Sequence, residues 1–317
     1  MAARRWLPAL AFAVLGCGAA TAETLRVAVL ADMNGPYGSA QYHDDVTGAV
    51  RRVVSLAPDL VILDGDMVAG QRRPALGEAR IREMWAAFHD TVSSPLARAG
   101  IPVAPAPGNH DASARRGFEL ERQIYGAEWA GRAPAVDWVD KSHFPFFYAF
   151  RIEDVVFVAL DATVAGRLGG EQTSWLEQIL KGTDGRATVV FGHLPLWPIT
   201  RGREREIIAD PRLKALFERH GVQVYVSGHH HAFFSGSNGG VLYVANASLG
   251  GERRAIVGQG RTAPHGFTVI EIADSGAVTL LPYLAPRFTT TLDPEALPAS
   301  ISSELGRLTR ALSLPPG

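Results

Sequence analysis

Five short runs of this 317-residue chain carry side chains able to hold a metal ion or move a proton. They are Asp32-Met33-Asn34, Gly65-Asp66, Gly108-Asn109-His110-Asp111, Gly192-His193 and Gly228-His229-His230-His231. Their donors are carboxylates, amides and imidazoles. Cys17 is the sole cysteine, which excludes an internal disulfide and a thiolate cluster. Nitrogen and oxygen donors without sulfur suit iron, zinc or manganese. In extended backbone, alternate side chains share a face, so His229 and His231 should reach one cavity while His230 points away as a loop residue. Taken singly, each run has an ordinary explanation. Asp32 could cap a strand end, Asp66 and Asn109 could serve turns, and His193 could be a satisfied core histidine. Five such coincidences in one order argue for chemistry.

The elements around these runs explain how they could meet. Apolar, β-branched stretches at 25–30, 60–63, 101–105, 187–191 and 222–226 read as strands, and each leads into one of the five runs. Further strands are expected at 148–152 and 155–160, turning at Glu153-Asp154, and at 242–244, 267–272 and 277–283, with a turn at Asp274-Ser275-Gly276. Helical periodicity covers 44–56, 77–92, 171–180 and 210–220. Strands separated by helices imply parallel pairing through right-handed crossovers, and the later hairpins add an antiparallel part. The fold class is therefore α/β, two sheets with helices outside. Ligands at the carboxyl ends of parallel strands gather on one sheet edge. The tail over 286–317 is expected to be peripheral, with a helix at 301–312.

The first 22 residues have Arg4 and Arg5, then the uncharged LPALAFAVLG, then Ala20-Thr21-Ala22. That is the pattern of a signal peptide cleaved after Ala22. Val14-Leu15-Gly16-Cys17 also matches a lipobox, which would place a lipid anchor on Cys17. Either route predicts a periplasmic or secreted protein, and the run is too short for a transmembrane span. The remaining length suits one domain over 23–285, and a monomer is expected. A formal net charge of -1 speaks against a general nucleic-acid partner.

In order and chemistry the five runs resemble the calcineurin-like metallophosphoesterase superfamily, including its purple-acid-phosphatase-like members. That signature reads D-x-H, G-D, G-N-H-[DE], G-H and G-H-x-H. Gly170-Glu-Gln-Thr-Ser-Trp-Leu176 also resembles a Q-x-x-W-L helix start common in that family. The resemblance implies a two-sheet αββα sandwich holding two metal ions. Asp66 would bridge them. Asp32 and His231 would bind the first, beside Asn34, and Asn109, His193 and His229 the second. His110 would face the substrate as an acid or phosphate contact, with Asp111 orienting it. Two cations about 3.5–4 Å apart offset phosphate charge and acidify a bound water. The implied reaction is hydrolysis of phosphomonoesters or small phosphodiesters by metal-bound hydroxide.

One position departs from the signature. Asn34 replaces its histidine, and an amide oxygen is the weaker ligand. Purple acid phosphatases supply a tyrosine three residues after the bridging Asp, where this chain has Ala69. Tyr37 and Tyr42 are read as loop packing. The alternative is thus a degenerate, non-catalytic metal- or phosphate-binding member. Arginines at 201–205 and 253–254 could meet phosphate, but interleaved Glu204, Glu206 and Glu252 favour solvated loops. Trp197, Phe233 and Phe234 could stack on substrate or join the core. Asp64 could support the site or be simply polar. His43, His89, His143, His220 and His265 have no motif context and are assigned to packing.

Overall fold

The computed structural model describes residues 24–289 and 292–316, so the segment expected to be a signal peptide, with Cys17, lies outside the described residues. The first half alternates β1 (Thr24–Leu30), α1 (Asp44–Leu56), β2 (Leu60–Asp64), α2 (Glu78–Phe88), α3 (Ser94–Arg98) and β3 (Val103–Ala106). Two helices follow, α4 (Asn109–Ala112) and α5 (Glu119–Ala130). Then come β4 (Asp137–His143), β5 (Phe147–Ile152), β6 (Val155–Ala159), α6 (Gly170–Lys181), β7 (Thr188–Phe191), α7 (Pro211–Arg219) and β8 (Val224–Ser227). The chain finishes with β9 (Phe234–Asn238), β10 (Val241–Ala245), β11 (Gly266–Ala273), β12 (Val278–Leu284), β13 (Ser300–Ser303), β14 (Gly306–Arg310) and β15 (Ser313–Leu314).

Two sheets result, one ordered β15-β12-β11-β1-β2-β3 and the other β13-β14-β9-β10-β8-β7-β6-β5-β4. β1, β2 and β3 pair in parallel, as do β6, β7 and β8. Strands covered on both faces must be apolar at nearly every position, as Leu60–Leu63 are. Their alternation divides the core. Val27, Val29, Leu60 and Ile62 join the cluster that unites the two sheets. Ala28, Leu30, Val61 and Leu63 pack against the helix residues Val46, Val50, Trp85 and Phe88. The expected two-sheet α/β sandwich flanked by helices is what the structure has.

α1 shows why such a segment is helical. His43 caps its first turn, with Nδ1 accepting from Asp45 N at 3.1 Å. Asp44 and Asp45 complement the dipole there. Val46, Ala49, Val50 and Val53 form the buried stripe at i, i+3, i+4 and i+7. Ala57, with φ of 46°, ends the helix in the left-handed region.

Two expectations fail. Residues 301–312 form no helix. β13 and β14 make a hairpin, β14 pairs with β9 in one sheet, and β15 pairs with β12 in the other. Ile301, Leu305, Leu308 and Leu312 have helical spacing, but Gly306 at φ of 105° turns the chain between them. The other failure is at His229 and His231, which are not extended. Their φ values are 62° and 57°, so left-handed bends, rather than strand alternation, aim them together.

Candidate metal centre

The carboxyl ends of β1, β2 and β3 deliver Asp32, Asp66 and Asn109 from one sheet. Those of β7 and β8 deliver His193, His229 and His231 from the other. The site therefore spans both sheets at one edge. Of nine non-glycine residues with positive φ among the described residues, five are Asp32, Asp66, Gln71, His229 and His231. Each costs about 1 kcal/mol or more, so the surrounding contacts must hold these bends. Gly108 is one such contact. A methyl there would lie 2.0 Å from Asp66 N, so only glycine lets the β3 loop close on the β2 loop.

Proton bookkeeping shows what the site lacks. His193 is fully buried, and its Nδ1 lies 2.9 Å from the Asp64 carbonyl, which can only accept. Nδ1 therefore carries a proton, and whenever the ring is neutral Nε2 carries the lone pair. That Nε2 faces Asn109 Oδ1 at 3.0 Å, Asp66 Oδ2 at 3.2 Å and His229 Nδ1 at 3.2 Å. Asn109 has its amide turned by Gln71, whose Oε1 accepts from Nδ2 at 2.5 Å. His229 Nε2 donates to Glu206 Oε2 at 2.8 Å, leaving a lone pair on Nδ1. With the His193 ring neutral, four acceptors converge here, and a positive charge is what they need: a proton on Nε2 when no ion is bound, a metal ion in its place otherwise. Asp66, His193 and His229 meet within 4.8 Å of one another.

The neighbouring half follows the same logic. His231 Nδ1 donates to the Glu252 carbonyl at 2.6 Å, which aims a lone pair on Nε2 at Asp32 Oδ1, 3.2 Å away. Asp32 also accepts from His229 N, at 3.1 and 2.9 Å to its two oxygens. Asn34 is buried, and its Oδ1 has no hydrogen-bond partner among the described residues. An orphaned amide oxygen at this position fits a metal ligand.

The electrostatics agree. Burial alone would lower His193, but the Asp66 and Asp32 carboxylates push it up to about 10. Burial opposes ionisation of Asp66, yet His193 and His110 hold its carboxyl well below the usual range. Burial pushes His229 down to about 4, against the pull of Glu206. The pocket's field favours one concentrated positive charge.

The structure assigns other residues differently from expectation. Asp111 does not touch the His110 ring. Its oxygens accept from Val68 N at 2.8 Å and Gly108 N at 3.0 Å, so it pins the loops that carry Asp66 and Asn109. Burial and the nearby Asp66 charge push it up to about 7. His110 is held instead by Gly70, whose carbonyl accepts from Nδ1 at 2.6 Å, and its ring lines the cleft. Asp64 serves through its backbone carbonyl, while burial pushes its unpartnered carboxyl up. Tyr42 donates to the Met67 carbonyl and Tyr37 to that of Pro74, as packing would have it. Trp197, Phe233 and Phe234 are core.

His230 is not a ligand, but it has a task. Its Nδ1 accepts from Ile199 N at 3.1 Å and Thr200 N at 3.3 Å, and Nε2 donates to the Glu206 carbonyl at 3.1 Å. It thereby holds the loop that brings Glu206 to His229. That loop is not merely solvated. Arg203 pairs with Glu206, Arg254 donates to the His229 carbonyl at 3.1 Å, and both arginines line a cleft of about 690 Å³ above the centre. Arg72 and Arg115 line it too. Sequence reading missed Gln71 as a supporting residue and dismissed Glu206. Neither has a motif, because tertiary contacts alone bring them in.

No curated protein sequence matches this chain. Among solved structures it is similar to purple acid phosphatase PPD1 from yellow lupin (Lupinus luteus) seeds, with 16% identity and a TM-score of 0.60. That match covers 83% of this chain but 52% of the lupin chain, so this chain spans about half the lupin protein's length. It is similar to a dimetal phosphatase from Danio rerio at 15% identity and a TM-score of 0.56, over 90% of this chain and 99% of that one. It is also similar to the anchor in the inner membrane complex of Plasmodium, at 13% identity and a TM-score of 0.55 over 82% and 84%. Such identities show a shared fold. The family model described as calcineurin-like phosphoesterase matches residues 25–233, which takes in all five ligand-bearing runs, and the chain belongs to that family.

Proposed function

We propose that this chain hydrolyses small phosphomonoesters or phosphodiesters with the help of two metal ions drawn from iron, zinc and manganese. The observation that carries the reading is the convergence of Asp66, Asn109 Oδ1 and His229 Nδ1 within 3.0–3.2 Å of His193 Nε2. These four would hold one ion. Asp32, His231 Nε2 and Asn34 Oδ1 would hold the other, with Asp66 shared. When bound, the ions would offset phosphate charge and acidify water.

The chain's own groups supply the rest. His110 Nδ1 is committed to Gly70, so Nε2, 4.0 Å from Asp66 Oδ2, is the atom available to exchange a proton with a substrate oxygen. Arg72, Arg115, Arg203 and Arg254 would bind and orient phosphate oxygens. The test is phosphate or nitrophenol release from nitrophenyl phosphate and its bis-ester with added manganese, zinc or iron. Asp66→Asn should cost on the order of 10²–10³-fold in kcat. Equal rates in parent and variant would overturn the reading.

Asn34 supports a second reading, a binding protein without turnover, because its amide is a weaker ligand than imidazole. Tight metal uptake with no release from either ester would establish it. Export is part of the proposal and rests on the pattern of residues 1–22. Sequencing the mature N-terminus from a native host would check it, and a start at Met1 would refute it.

A further inference from the structure

Three residues with no motif between them, His43, Asp45 and His265, come together beside the first turn of α1, with donor atoms within 4.8 Å of one another. Sequence alone assigned both histidines to packing. His265 is buried, and its Nε2 lies 3.0 Å from the Gly251 carbonyl, which can only accept. Nε2 of a neutral ring is therefore protonated, and Nδ1 points its lone pair at Asp45 Oδ2, 2.8 Å away. His43 Nδ1 accepts from Asp45 N at 3.1 Å and lies 3.3 Å from the same Asp45 oxygen, so an ion bound at this atom would take over the lone pair that now caps α1. Two imidazole nitrogens thus lie 2.8 and 3.3 Å from one carboxylate oxygen. The two rings stand nearly perpendicular, with centroids 5.1 Å apart.

We propose that His43, Asp45 and His265 form a further cation site, open to solvent, for a divalent ion of the zinc class. Two imidazoles and a carboxylate with an open position are a donor set that zinc accepts. A tetrahedral zinc keeps its donors roughly 3.3 Å apart, given bond lengths of about 2.0–2.2 Å, and the two distances to Asp45 Oδ2, 2.8 and 3.3 Å, lie near that value. The Gly251 carbonyl on His265 Nε2 is the kind of outer partner that fixes a ligating imidazole's tautomer. The helix dipole weakly opposes a cation at this end of α1, and Asp44 and Asp45 offset it. Water would complete the coordination, because the His43 side chain is 54% exposed. An ion here would tie α1 to the 249–251 segment, whose amides bond to the Asp32 carbonyl.

The inference is independent of the phosphoesterase reading and is tested separately. Full-length protein is loaded with zinc alone and dialysed, and zinc per chain is measured in the parent and in Asp66→Asn. His43→Ala and Asp45→Asn should each lower bound zinc by about one equivalent in both backgrounds. His43→Ala changes an exposed side chain and keeps the fold, its melting in chelator falling only by the few degrees that loss of the α1 cap implies. Cobalt loading gives a second readout, with the same variants losing one set of tetrahedral visible bands. Zinc content and cobalt spectra unchanged in His43→Ala and Asp45→Asn would overturn the proposal, leaving a His265–Asp45 side-chain contact only.

Discussion

Around His193 every donor is oriented by another residue. Asp64 fixes His193, Gln71 fixes Asn109, and Glu206 fixes His229, itself placed through His230. Around Asp32 the arrangement is looser. Glu252 fixes His231, but Asn34, which lines the cleft, has a buried Oδ1 without a hydrogen-bond partner among the described residues. Within one centre, one half is pre-arranged before any ion arrives and the other leaves a ligand free to adjust. Pre-arrangement raises affinity because less has to be ordered on binding. The His193 half should therefore be the tighter site and the Asn34 half the exchangeable one.

The strongest way to break this comparison is to delete one ligand from each half. His193→Ala should abolish tight binding of one ion and cost about 3 kcal/mol of stability, since a fully buried side chain leaves both a cavity and unpaired acceptors. His231→Ala should lose only the exchangeable ion and melt within a few degrees of the parent. Metal content and melting temperature decide, and equal losses in the two variants would show that the halves do not differ.

A smaller effect should follow from removing orienting partners. Gln71→Ala and Glu206→Ala should each weaken the His193-half ion by about 10–100-fold. Glu206→Gln, which keeps an acceptor oxygen, should recover part of that loss. Metal titration with a competing chelator measures it, and affinities equal to the parent's would remove the reason for calling that half pre-arranged.

The mildest change is Asn34→His. It should tighten the exchangeable ion by about tenfold, imidazole being the stronger donor for this metal class, while leaving the other ion's affinity unchanged. A tightening confined to the wrong ion, or none, would show that Asn34 does not face the metal.

Much of the framework could be read from the sequence, for a physical reason. Parallel strands buried on both faces must be uniformly apolar, so 25–30, 60–63 and 222–226 announced themselves. A polar run at each carboxyl end then had one edge on which to gather. Other strands could not be seen this way. β4, Asp137–His143, is an edge strand with mostly exposed polar residues, and β9 reads Phe-Ser-Gly-Ser-Asn. The β13–β14 hairpin carried a misleading helical period. The roles of Gln71, Glu206 and His230, and the meeting of His43 with His265, depend on contacts between residues far apart in sequence, which no local pattern encodes.

The Asp32 carbonyl accepts from Leu249 N at 3.2 Å, Gly250 N at 2.9 Å and Gly251 N at 3.0 Å. The family match ends at residue 233 and the last centre residue is His231. A ribosome that has released the chain only that far has made every ligand but not the clamp on the first of them. The first ligand is thus anchored by a segment outside the matched region, and a chain cut short before residue 249 would carry the ligand set without that anchor.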